Sequence, residues 1–220
     1  MDHTKTVLIP FGTIEEHGSH LPLFTDSLIV ERVLIEVSKR RKVFLSPTLH
    51  YGVCTSTRKH PGTISISPDA LRKLTYDMVK SFYEKGLRRF FLISGHAGSI
   101  HMVALREVGE VLIEELSNLE IAVFSLYDIM LKDLVSLAET KNDSHAGEIE
   151  TSLMLYLTPH LVKGMAEEEY PTFPKPFIVK DKLHYWPGGV WGNPKKASKE
   201  KGERVFNMMV DKVIEIIDSM

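Results

Sequence analysis

The chain of 220 residues has one cysteine, Cys54, so no disulfide can form within it, and the secreted scaffolds that depend on disulfides are excluded. No apolar run approaches the roughly 20 residues that cross a bilayer as a helix. The opening residues, Met1-Asp2-His3-Thr4-Lys5, lack the basic-then-apolar layout of a secretory signal. A cytoplasmic protein with no membrane partner is expected. Neither sign of charge is in excess: 27 Lys and Arg against 29 Asp and Glu leave −2, without the basic surplus of a nucleic-acid binder. Fixed-period repeats and low-complexity tracts are also missing, which removes solenoids and flexible linkers. What remains, 43% hydrophobic and 25% charged, fits a single globular domain over residues 1–220 with a small-molecule partner. A chain of this size buries roughly 70% of its unfolded surface in one core.

Short apolar runs alternate with longer segments of helical period, the pattern of an α/β domain whose central, mostly parallel sheet is flanked by helices. Strands are expected at 6–11, 43–45, 89–93 and 121–126. The run Arg89-Phe90-Phe91-Leu92-Ile93 reads as a buried central strand. Helices are expected from the 28–40 segment, from Ser67 and Pro68 to a stop at Gly86, and over 103–116, 129–138, 147–157 and 199–217. Residues 164–193 carry four prolines and both tryptophans, Trp186 and Trp191, and should be irregular. A loop of that length forms a lid or interface, or packs its own aromatics on the core.

Three segments at strand or helix ends carry chemistry. Between the first strand and first helix lie Glu15, His17 and Asp26. In extended chain, residues two apart project to one side, so Glu15 and His17 can face one point. Gly18 and Pro22 allow the chain to turn back and bring Asp26 to it. Singly, each is most simply a solvated loop residue or a helix-start acid. Together they form a ligand set for zinc, manganese or iron at the strand end where α/β proteins bind ligands.

The second segment, Ser94-Gly95-His96-Ala97-Gly98-Ser99, follows the strongest strand and would bring His96 to the same edge. It lacks the spacing of a phosphate loop or of a nucleophile elbow. A metal-free serine hydrolase using Ser94 or Ser99 is the rival enzyme reading, and a small-molecule binding module the non-enzymatic one. In the third segment, Asp143 or Ser144 can cap a helix, and His145 and Glu148, three apart, can share a face of its first turn. His145 at a helix N-terminus should be neutral, able to accept a proton. Gathering Glu15, Asp26 and Glu148 in one cleft is costly unless cations offset the repulsion. Two divalent ions would do so, and would make hydroxide available near neutral pH.

Taken together, the three segments resemble the creatininase family of metal-dependent amidohydrolases. Its E-Q-H-G-x-H-L-P-x-x-T-D signature is matched from Glu15 to Asp26, G-H-G-G-N from Gly95 to Ser99, and H-A-G-E-x-E-T-S from His145 to Ser152. His60-Pro61-Gly62-Thr63 and Gly189 to Pro194 match as well, so the resemblance spans nearly the whole chain. It implies two divalent ions, with Glu15 and His96 holding one, His17 the other, and Asp26 bridging. His145 is then the catalytic proton-transfer residue for opening a cyclic amide, small amide or formamide. The family's further carboxylate, two residues after the glycine-flanked histidine, is Gly98 here, and Glu148 is the expected replacement. Tryptophans that enclose creatinine are replaced by Tyr127 and approximately Lys141, which points to an altered substrate. Formamidopyrimidine-nucleotide deformylases and a cofactor-precursor peptidase are the alternative activities. Homo-oligomers, often hexamers, are common in the family.

Overall fold

The four apolar runs pair as one sheet. β1 (Thr6–Phe11), buried at every residue, lies between β2 (Phe44–Leu45) and β3 (Arg89–Ser94), and β4 (Glu120–Ser125) adds beyond β3. All neighbours are parallel, in the order β2-β1-β3-β4. The structure, a computed structural model, describes residues 4–220; Met1, Asp2 and His3, part of the opening stretch read above, lie outside it. The helices are α1 (Thr25–Arg40), α2 (Pro68–Glu84), α3 (Ser99–Glu115), α4 (Leu131–Leu137), α5 (Glu148–Leu157) and α6 (Lys199–Ser219).

Alternation of side chains across the strands builds two cores. Leu8, Phe91 and Ile93 pack on one face against α1, α5 and α6. Val7, Ile9, Phe11, Phe90 and Leu92 pack on the other against α2 and α3. Burial on both faces is why these strands read as unbroken apolar runs rather than alternating ones.

Topology then places the site. From β1 the chain passes through α1 to β2 on one side, and from β2 through α2 to β3 on the other. The crossovers therefore diverge between β1 and β3, the switch point at whose carboxyl edge open α/β sheets bind ligands. Phe11, Ser94 and Ser125 are in register, so three connections leave the sheet side by side there.

Two elements differ from their sequence expectation. Helix α3 begins at Ser99 rather than near Val103, because its N-terminus carries no side-chain cap that a sequence could announce. The expected 129–138 helix divides into a 3₁₀ turn (Asp128–Met130) and the short α4. That segment buries only Met130 and Leu134, too narrow an apolar stripe to hold a longer helix to the core. Residues 164–193 contain no helix or strand, as their composition predicts, and Trp186 is buried. Among the described residues, no helix is long and apolar enough to cross a membrane.

Candidate metal centre

The loop after β1 supplies Glu15 and His17, the first turn of α1 supplies Asp26, and the turn after β3 supplies His96. Gly95 is what lets the last two meet. A Cβ at this position would overlap the backbone carbonyl of Asp26, so only glycine allows the exit of β3 to run against the entry of α1.

Nδ1 of His96 lies 2.8 Å from Oε2 of Glu15 and 3.2 Å from Oδ2 of Asp26. The other carboxylate oxygen of Asp26, Oδ1, lies 3.2 Å from Nε2 of His17, and Oε2 of Glu150 lies 3.7 Å from that same nitrogen. All five residues are buried, none more than 8% exposed. Asp26 thus offers one oxygen to each of two poles, His96 with Glu15 and His17 with Glu150. Despite these close approaches, Oε2 of Glu15 and Nε2 of His17 make no hydrogen bond. Polar atoms that crowd without bonding are aimed at common points between them rather than at each other.

The rings are held from behind. Nδ1 of His17 lies 3.0 Å from the carbonyl of Glu15, and Nε2 of His96 lies 3.2 Å from the carbonyl of Val53. This is how ligating imidazoles are oriented, with the remaining nitrogen free for the centre. Thr57 and Thr13 donate hydroxyl hydrogen bonds to Glu15 and Asp26, and the amide of Ala146 donates to Oε2 of Glu150 at 2.6 Å. His145 stacks at 4.3 Å between ring centroids on His17, with its Nε2 2.7 Å from the carbonyl of Glu16. Two groups have ligand atoms mutually within 4.8 Å: Glu15, Cys54 and His96, and His17, His145 and Glu150.

Electrostatics register the strain of this assembly. Burial opposes charge throughout the centre, yet His17 is raised to about 10 because Asp26, Glu150 and Glu15 surround it. His96 rises for the same reason, held by Glu15 and Asp26 against its burial. His96 in turn holds the Glu15 carboxyl at about 2, and His17 with His96 holds Asp26 well below its usual value, although both acids are buried. Glu150 goes the other way, to about 7, because burial and the Asp26 charge outweigh His17. His145 falls to about 4 through burial and the neighbouring His17 charge, so it is neutral at pH 7. Three carboxylates sharing protons with imidazoles form a site that calls for external cations.

Glu148 is a correction. Its carboxylate faces away from the centre, where the amides of Glu139 and Thr140 donate to it at 3.0 and 2.7 Å and Lys201 pairs with it. The expectation failed because Ala146, at φ 47°, breaks the helical path between His145 and the N-cap at Gly147, so three-residue spacing puts nothing on a shared face. Two residues further on, Glu150 projects to the opposite side of α5 and reaches His17 instead. Asp143 does cap α5, accepting from the amides of Glu148 and Ile149 at 2.7 and 2.9 Å. Gly98 cannot host a replacement ligand either, since a Cβ there would overlap the His96 ring.

Glu148 therefore predicts stability rather than activity. Burial disfavours its charge, but Lys201 and the Thr140 and Glu139 donors overcome this and lower its pKa from 4.5. A depressed carboxylate stabilises the fold above its unfolded pKa and loses that contribution as pH falls through the folded value. Glu148→Gln should lose about 1–3 kcal/mol in denaturant unfolding at pH 7, with a shrinking difference from the parent in acid. Its metal content should be unchanged.

The serine reading fails at Ser94. That hydroxyl is fully buried and donates to the carbonyl of His96 at 2.7 Å. Its nearest imidazole, His101, lies 3.3 Å away, but His101 Nδ1 accepts from the amide of Val53 at 3.2 Å, so Nε2 carries the proton and cannot act as base. Ser99 is exposed at the cavity rim.

The centre opens into a cavity of about 630 Å³, walled by Tyr127, Lys141, His145, Trp186 and Trp191 together with α4 residues Leu131, Leu134 and Val135. Both positions expected to shape the substrate, Tyr127 and Lys141, lie on this wall, as do the two tryptophans of the long loop. Sequence reasoning missed Glu150, Cys54, Thr13 and Thr57 as neighbours of the centre. Glu150 carries one signal, as the acid of the E-T-S tail, although the sequence alone does not rank it above Glu148.

Fold and site define a parallel-sheet α/β protein with a buried carboxylate and imidazole centre suited to divalent cations. The chain belongs to the creatininase family, described as creatinine amidohydrolase, which it matches over residues 1–217. It is 29% identical to a creatinine amidohydrolase of Pseudomonas putida, covering 96% of this chain and 88% of that one. It is 31% identical to a mycofactocin precursor peptide peptidase of Mycobacterium ulcerans, covering 94% and 82%. A manganese creatininase superimposes with a TM-score of 0.86 at 26% identity, over 97% of this chain and 90% of that one. A zinc–zinc form of a creatininase mutant gives 0.85 over the same shares.

Proposed function

We propose that the chain hydrolyses a C–N bond of a small or cyclic amide or formamide, using two divalent ions. The observation that carries this reading is Asp26, whose two oxygens face His96 and His17 separately while Glu15 Oε2 and His17 Nε2 remain without hydrogen bonds. Glu15, His96 and Oδ2 of Asp26 would hold one ion; His17, Glu150 and Oδ1 of Asp26 would hold the other. The donors suit zinc, manganese or iron, in keeping with the manganese and zinc forms of the structural relatives. When bound, such a pair supplies Lewis acidity toward a carbonyl and a nucleophile at neutral pH.

The protein's own residues supply the rest. With Nε2 of His145 engaged on the Glu16 carbonyl, Nδ1 is its basic nitrogen; it takes up a proton and passes it to the departing nitrogen. The hydrogen bond and the stacked His17 ring hold that imidazole in one orientation. Trp186, Trp191 and Tyr127 offer flat walls for a planar substrate. The test is to strip the protein with chelator, reconstitute it with each metal, and follow turnover of creatinine, formamidopyrimidines, cyclic imides and short peptides beside elemental analysis. Saturating metal with no turnover across the panel would favour a binding module.

Lys141 supports a second reading. It is an exposed cation on the cavity wall with no ion pair among the described residues, placed to attract an anionic group. A substrate with a phosphate, or the carboxylate of a peptide as in the peptidase relatives, would use it. Anionic members of the panel should then turn over faster at low salt than at high salt. For the centre itself, Glu150→Gln is expected to bind one ion where the parent binds two, counted by elemental analysis. Unchanged stoichiometry would remove Glu150 from the ligand set.

A further inference from the structure

We propose that Cys54 is a direct ligand of the ion held by Glu15 and His96, making that pole a mixed sulfur, nitrogen and oxygen centre that prefers zinc to manganese. The inference rests on the two-ion reading above and adds a donor to it. Sγ of Cys54, a carboxylate oxygen of Glu15 and a ring nitrogen of His96 lie mutually within 4.8 Å, and the cysteine is fully buried. A second observation points to the same spot. Oε1 of Glu15 is taken by the Thr57 hydroxyl, whereas Oε2, in a residue 2% exposed, has no hydrogen bond and lies 2.8 Å from Nδ1 of His96, the third donor of the group.

The backbone fixes the cysteine there. The Val53 carbonyl meets Nε2 of His96, the Val53 amide donates to His101, and the Cys54 amide donates to Oγ of Ser65 at 3.0 Å. Residues 53 and 54 are thus tied to the histidine whose other nitrogen faces the centre. Its sulfur faces a carboxylate and an imidazole rather than apolar side chains alone. Thiolate donors favour zinc, while manganese prefers oxygen. On coordination the S–H bond would break, its electron pair staying on sulfur as the donor to the ion and the proton leaving to solvent.

The test uses the whole protein loaded with Co(II). Visible d–d bands report occupancy, and a near-ultraviolet thiolate-to-cobalt charge-transfer band reports sulfur. Both are expected in the parent, with loss of only the charge-transfer band in Cys54→Ser. Should that variant misfold, X-ray absorption of the zinc-loaded parent reads the same bond, with a sulfur shell expected at about 2.3 Å. Bands of the d–d type without charge transfer, and a zinc shell of nitrogen and oxygen alone, overturn the Cys54 assignment and leave the two-ion reading standing. No d–d bands at saturating cobalt overturn both.

Discussion

His145→Ala should retain its full complement of metal and lose about 10²- to 10⁴-fold in turnover. The reason lies in what this imidazole touches. It reaches the cavity and packs against His17, but its ring nitrogen bonds to the Glu16 carbonyl rather than to a carboxylate of the centre. Removing it leaves Glu15, Asp26, His96, His17 and Glu150 in place to hold ions. In the metal-free protein, burial and the charge at His17 lower it to about 4, so its basic nitrogen is unprotonated in the neutral range. Two measurements separate this role from ligation: elemental analysis of the variant, and the split between kcat and KM. Parent-like turnover would end the assignment. Loss of one equivalent of metal would instead make His145 a ligand, the arrangement its grouping with His17 and Glu150 permits.

The sequence is legible where one physical rule governs one stretch. β1 and β3 are buried on both faces, so their apolar runs could hardly be anything else. Two-residue alternation and strand-end placement are local rules, and the fold brings Glu15, His17, Asp26 and His96 close together in keeping with them. Glu148 failed because a helical spacing was applied across Ala146, where a left-handed residue ends the rule. Glu150 could not be ranked above Glu148 without knowing which side of α5 faces the sheet edge, and that is decided by packing of Ile149 and Leu153 into a core built from distant elements. Cys54, Thr13 and Thr57 were invisible for a related reason. Thr13 meets Asp26 across 13 residues of loop, and the 52–57 loop meets Glu15 and α3 across more than 40, contacts that no periodicity encodes.

Asp26→Ala should lose both ions and fall to background activity. Among the described residues it is the carboxylate paired with both histidine poles, so its removal withdraws an oxygen from each, whereas loss of Glu15 or Glu150 withdraws one. The effect on the metal-free fold has the opposite origin. Without metal, His17 is held as a cation chiefly by Asp26, and His96 by Glu15 together with Asp26, so the variant weakens the hold on both buried imidazole protons. The metal-free parent should therefore bind more protons near neutral pH than metal-free Asp26→Ala, and imidazole proton shifts would read the difference directly. Asp26→Asn guards against misfolding, because its amide oxygen can still accept from Thr13 in nearly the same volume while the charge is gone. Both variants should bind less than one equivalent of zinc or manganese under conditions where Glu148→Gln, altered at the other face of α5, binds the parent's amount. Two intact equivalents in Asp26→Ala would mean that the ions sit elsewhere, and the assignment of every other ligand would fall with it.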